Sequence, residues 1–162
     1  MAKTQHVSAT PATQLLRRHG VPFTEHVYDF VARGGTAESS KQLGVAEHEV
    51  IKTLVMEDEH AAPMLVLMHG DRQVSTRNLA RQIAAKTVQP CQPQVAQRHS
   101  GYLLGGTSPF ATRKRMPVYV EASVLALPRI CINGGRRGFL IGIAPQVLVD
   151  LLQARAVHCA LC

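Results

Sequence analysis

The chain contains no tryptophan, and only 4% of its residues are aromatic. A core built without large rings has to be filled by aliphatic side chains. No apolar run approaches the roughly 18 residues that a membrane-spanning helix needs, and the stretch from Met1 to Pro11 lacks the apolar segment of a secretory leader. A soluble, cytoplasmic protein with no membrane contact is therefore expected. Cysteine is sparse as well. Cys91, Cys131, Cys159 and Cys162 are too few and too irregularly spaced for the disulfide framework of a small secreted domain, so they are read as reduced thiols. The tail His158-Cys159-Ala160-Leu161-Cys162 offers three closely spaced ligands at a terminus where zinc wants four, and the eight histidines lack metalloprotease spacing. No metal is expected. Acidic residues are in deficit, 11 against 18 basic ones, and the formal charge of +7 favours a polyanionic partner.

With 162 residues, 46% hydrophobic and 18% charged, the chain has the size and composition of one globular domain. The segments 1–9 and 153–162 are expected to be flexible tails. Thr10 as cap, Pro11 at the first helical position, Leu15 and Leu16 on one face and Gly20 as stop mark a first helix. Phe23 to Tyr28 alternates as a half-buried strand, and Thr36 should cap a short helix that ends at Gly44. Val50 to Met56 and Met64 to Met68 read as a hairpin joined through Asp58 to Ala62. Ser75 can cap a helix carrying Leu79, Ala80 and Ile83, and Gln94 to His99 looks like another. Short strands follow at Val118 to Val120, Ile130 to Ile132 and Phe139 to Ile143, with a tight turn at Gly134-Gly135, and Pro145 opens a last helix. Several strand connections are too short for parallel crossovers. The expected fold is α/β, a single compact domain with a mixed, largely antiparallel, barrel-like sheet surrounded by helices. The glycines at 101, 105 and 106 do not have dinucleotide-fingerprint spacing.

Three segments can carry chemistry. Lys52 lies inside an apolar strand between Ile51 and Leu54, where a lysine either snorkels to an edge or serves a site, and Thr53 puts a hydroxyl on the opposite face. The block Ser100-Gly101-Tyr102-Leu103-Leu104-Gly105-Gly106-Thr107-Ser108-Pro109 is rich in glycine, which lets backbone N–H groups approach a ligand or simply permits a tight turn. Asn133-Gly134-Gly135-Arg136-Arg137-Gly138 joins an amide and glycines to two guanidiniums, suited to phosphate or ribose, or to a hairpin with a solvated charge pair. Arg113, Lys114 and Arg115 form a further basic cluster that fits a nucleic-acid backbone or plain solvation.

In this order the three segments resemble the YbaK family of trans-acting aminoacyl-tRNA deacylases, and the resemblance runs from about Thr10 to Leu152. The similarity is strongest to the branch of bacterial Cys-tRNA(Pro) deacylases, which is related to editing domains inserted in some prolyl-tRNA synthetases. It implies a pocket for the aminoacylated terminal adenosine, no metal or organic cofactor, and tRNA as partner, with prolyl-tRNA synthetase as a possible second one. Carried over by motif, Lys52 matches the essential lysine. Tyr28, Thr53, Gly101, Tyr102, Gly105, Gly106, Ser108, Asn133, Gly134 and Gly135 fall on the substrate-binding motifs, with Asn133 where relatives often have serine. Arg136, Arg137, Arg113, Lys114 and Arg115 are the expected tRNA or phosphate contacts. In the branch resembled, the substrate's own thiol attacks its carbonyl, which would account for the lack of an evident protein nucleophile.

As a general base Lys52 would have to lose a proton from about pKa 10.4, so a fixed cation is the simpler role. The chemistry required is cleavage of the ester between amino acid and ribose. Two positions depart from the family pattern: Gly35 stands where relatives often carry an aromatic residue, and Leu140 where an acidic one is common. Removal of another small amino acid such as alanine is therefore the alternative to cysteine. A noncatalytic module that binds tRNA or prolyl-tRNA synthetase, and a regulatory pocket for a small phosphate, are the alternatives from other classes.

Overall fold

The computed structural model describes residues 9–161. Helix α1, Pro11–Arg18, starts at Thr10, whose side chain forms a reciprocal capping box with Thr13. Strand β1, Thr24–Val27, is a lightly buried edge strand rather than the half-buried one expected. Helix α2, Gly35–Leu43, begins two residues earlier than a cap at Thr36 predicts, with Gly34 in the cap position. Thr36 is not its cap: the Oγ1 donates instead to Glu47 Oε2 at 2.7 Å and to the Gly70 carbonyl at 3.2 Å. A 3-10 turn, Glu47–Glu49, leads into the predicted hairpin, formed by β2, Val50–Asp58, and β3, Pro63–His69, paired antiparallel. Strand β4, Gln73–Val74, precedes α3, Thr76–Gln82, which Ser75 caps through the Asn78 N–H as anticipated. Then follow β5, Val88–Pro90, α4, Pro93–Ser100, β6, Val118–Glu121, β7, Ile130–Arg136, β8, Phe139–Ile143, and α5, Gln146–Leu152. Two more strands follow, β9, Arg155–Val157, and β10, Ala160–Leu161.

The main sheet runs β1-β8-β7-β2-β3-β6-β9, with β5 also paired to β2. Four of its ladders are antiparallel and three parallel. The mixed sheet with helices on it is the expected architecture. Its centre is the β2–β3 hairpin, buried on both faces. Ile51, Val55, Leu65 and Leu67 enter one cluster with Ala12, Leu16 and Leu148, while Met56, Met64, Val66 and Met68 enter another with Leu79 and Ala80. This is the period-2 alternation of a strand read out on two cores. The core is mainly aliphatic, with Phe110 and Phe139 as its largest fully buried side chains.

Two further expectations are corrected. The hairpin between β7 and β8 turns at Arg137-Gly138, while Gly134-Gly135 form a bulge between the pairs Asn133↔Leu140 and Arg136↔Phe139. The Asn133 Oδ1 makes the bulge by accepting from the Gly135 and Arg136 N–H groups at 2.7 and 3.1 Å. The segment 153–162 is not a flexible tail over its described part. β9 extends the main sheet beside β6, and β10 pairs with β4. Glu121 binds it, its Oε1 accepting from the Cys159 and Ala160 N–H groups at 2.8 and 3.1 Å. Of the other expected tail, 1–9, residues 1–8 lie outside the described residues.

Candidate active site

The N-terminal half of β2 forms one wall of a cavity of about 490 Å³, bordered by Val50 through Leu54. Tyr28 and the 30–33 segment, the start of α2, the loop residues Leu104, Gly105 and Thr107, and Asn133, Arg137 and Leu140 complete it. Lys52 is half-buried in this wall, and its Nζ donates to the Arg72 carbonyl at 2.6 Å. Burial pushes its pKa below the ordinary 10.5, and the nearby carboxylates of Glu47 and Asp71 push back. Thr53 alternates to the Ile51 and Val55 side of the strand, yet it also borders the cavity. Its Oγ1 is buried and has no hydrogen-bond partner among the described residues.

The glycine-rich loop and the β7 bulge meet at the mouth. Asn133 Nδ2 donates to the Gly105 carbonyl at 3.2 Å, and Arg137 Nε donates to the Leu104 carbonyl at 2.8 Å. The Arg137 guanidinium also lies 5.0 Å from the centre of the Phe30 ring. A Cβ on Gly106 would come within 2.8 Å of the Arg137 backbone nitrogen, so glycine is required where the two segments touch. Phe30, Val31 and Leu104 are three of the five large hydrophobics exposed among the described residues, and all three rim this cavity.

The structure thus brings Lys52, Thr53, Tyr28, Gly105, Asn133 and Arg137 to one cavity. Gly106, Gly134 and Gly135 support its walls without lining it. Gly135 takes φ +101°, and the Gly134 carbonyl accepts from Thr10 Oγ1 at 2.6 Å, which ties the bulge to α1. Gly101, Tyr102 and Ser108 do not face the cavity. Gly101 ends α4 in the left-handed conformation, the buried Tyr102 hydroxyl donates to the Phe110 carbonyl at 2.6 Å, and Ser108 Oγ accepts from the Phe110 N–H. Their motif shapes the loop rather than touching what binds. Arg136, Arg113, Lys114 and Arg115 are exposed and outside the cavity, the last three beyond the end of α4. Sequence reasoning missed the segment from Phe30 to Arg33, Thr36, Glu38, Ser39 and Leu104. An apolar pair, Phe30-Val31, in an otherwise polar connection was the available signal.

Among the described residues one group has metal-ligand spacing, His48, His69 and Asp71. Both ring nitrogens of His69 are already engaged, by the His48 carbonyl and by Ser123 Oγ, each at 2.7 Å. That engagement leaves the cluster short of a donor for a cation.

The family model of the aminoacyl-tRNA editing domain matches residues 33–151. The candidate Cys-tRNA(Pro)/Cys-tRNA(Cys) deacylase EbsC of Enterococcus faecalis is 27% identical over 152 residues, covering 93% of each chain. The proline–tRNA ligase of Streptococcus equi subsp. equi is 28% identical over 105 residues, 64% of this chain but only 17% of the ligase. Among solved structures, the hypothetical protein APE2540 superposes with a TM-score of 0.85 at 21% identity, over 94% of this chain and all of that one. A candidate trans-editing enzyme for prolyl-tRNA synthetase superposes with a TM-score of 0.81 at 18% identity, over 96% of this chain and all of its own. The match of the family model over most of the chain, on the fold these structures share, makes this protein a member of the aminoacyl-tRNA editing domain family, the YbaK family that its three motifs resemble.

Proposed function

We propose that the protein hydrolyses the ester of Cys-tRNA(Pro), clearing cysteine misattached by prolyl-tRNA synthetase. The observation that carries this reading is Lys52, a cation held by a backbone carbonyl in the wall of a cavity large enough for an aminoacylated ribose. A packing pocket in a synthetase rejects a near-isostere by only about 1–3 kcal/mol, so a separate hydrolytic check is physically warranted. The Lys52 ammonium stabilises the carbonyl oxygen as it gains negative charge, or holds the adjacent phosphate. The substrate thiol gives up its proton, its sulfur bonds to the carbonyl carbon, and the ester C–O bond breaks with the ribose oxygen taking a proton. Water then opens the resulting thioester to release cysteine. The Arg137 and Phe30 pair at the mouth suits a phosphate and a base of the acceptor end. Such an enzyme works where translation does, in the cytoplasm, and prolyl-tRNA synthetase is the partner its substrate implies.

One observation favours a second substrate. Gly35 and Leu140, the two departures from the family pattern, both border the cavity, so a different small side chain such as that of alanine fits a pocket reshaped there. A deacylation panel of tRNA(Pro) charged with cysteine, alanine and proline decides between them. Release of cysteine, with Lys52→Ala slower by about 10²–10³-fold, is the expected result. Full turnover by Lys52→Ala overturns its role. Tight binding of every charged tRNA without release marks a noncatalytic binding module instead.

A further inference from the structure

Among the described residues no carboxylate lies within ion-pair distance of Lys52. Its one hydrogen bond goes to the Arg72 carbonyl, in the turn that joins β3 to β4. That turn is fastened from several sides. The Gly70 N–H donates to the Val50 carbonyl at 2.7 Å, and the Gly70 carbonyl accepts from Thr36 Oγ1. Asp71 Oδ1 meets His48 Nδ1 at 2.9 Å. The His48 ring lies flat on the ring of His69, with centroids 3.7 Å apart and planes 7° from parallel. His69 is buried and held at both nitrogens, so it forms a fixed plate beneath His48. Packing alone would favour an apolar residue at the end of β3, since a buried imidazole has to be matched at each polar atom.

We propose that the His48–Asp71 pair, seated on His69, is a positioning device for the Lys52 ammonium. It locks the turn that presents the Arg72 carbonyl, and the carbonyl sets where Nζ stands in the cavity wall. The inference rests on the reading of Lys52 as the cation that acts on the ester. A displacement of about 1 Å at such a group costs up to roughly 10²-fold in rate. The carboxylates that act on Lys52 through space are Glu47 and Asp71, so the test has to separate Asp71 as a charge from Asp71 as a latch.

Asp71→Asn and Asp71→Ala make that separation. Both remove the charge, but asparagine keeps an acceptor facing His48 Nδ1. Deacylation of Cys-tRNA(Pro) by Asp71→Ala and by His48→Ala is expected to show kcat lower by about 10–100-fold, with KM within about threefold. Asp71→Asn should restore kcat to within about fivefold of the parent. The 13C-dimethyl resonance of Lys52, assigned by its loss in Lys52→Ala, should stay at its parent position in Asp71→Asn and move in Asp71→Ala. Asp71 is exposed, so these variants keep the fold even if His48→Ala does not. Equal impairment of the two Asp71 variants, or parent-like kcat and resonance in Asp71→Ala, overturns the proposal. If Lys52→Ala turns over fully, the catalytic reading has failed, and the Lys52 resonance alone then decides the positioning.

Discussion

At the scale of single residues, what marks this protein is which side chains hold charge and which are prevented from doing so. Lys52 is legible in the sequence because a lysine in an apolar strand is anomalous, but its hydrogen-bond partner is not, since Arg72 lies in another element. The cysteines show the opposite case. Burial, with Glu57 adding to it, pushes the Cys91 thiol up to about 12, and burial with Glu121 pushes Cys159 to about 11. Neither is a thiolate at neutral pH, and only the thiolate is nucleophilic. Iodoacetamide at pH 8 should therefore leave both unmodified in the folded protein, as read by mass spectrometry. Rapid alkylation of Cys91 with parallel loss of deacylation would instead point to a protein thiol in the chemistry.

At the scale of elements, most helix ends were readable, while the start of α2 at Thr36 and the glycine hairpin were not. Thr10, Ser75 and Gly44 act through their nearest neighbours, so their capping follows from local sequence. Gly134-Gly135 reads locally as a turn. It becomes a bulge because the Asn133 amide reaches two backbone N–H groups and Thr10 reaches in from α1. The bulge is tightly packed: a Cβ at Gly134 would collide with the Phe139 ring and come within 3.1 Å of Ile141 Cγ2. Gly134→Ala should destabilise the fold by about 1–3 kcal/mol in urea denaturation, the usual cost of overpacking a core. An unchanged midpoint would show that the bulge has room to relax.

At the scale of the molecule, Glu121 joins the sheet to the end of the chain. Its carboxylate is buried and accepts from the Ser123 N–H and hydroxyl and from the N–H groups of Cys159 and Ala160. Glu121→Ala should cost about 3 kcal/mol or more, because it leaves several buried donors without an acceptor. Burial raises the Glu121 pKa, but these hydrogen bonds outweigh it and hold the group below its ordinary 4.5. A depressed carboxylate contributes stability that is present above the unfolded value and lost as pH falls through the folded one. The melting temperature should thus drop on acidification below about pH 4.5, and less steeply in Glu121→Gln. Equal slopes would assign the acid sensitivity to other carboxylates.

By itself the sequence determined the α/β class, most of the helices and strands, and three motifs that include Lys52. Each of these depends on periodicity, capping or composition, which act over a few neighbours. It could not show that Gly101, Tyr102 and Ser108 turn away from the cavity, or that Phe30 and Leu104 come to its rim. Nor could it show that Arg155–Val157 and Ala160–Leu161 form strands. Those outcomes depend on contacts between segments far apart in the chain, such as Asn133 with Gly105, Arg137 with Phe30 and Glu121 with Cys159, and only the tertiary fold sets them.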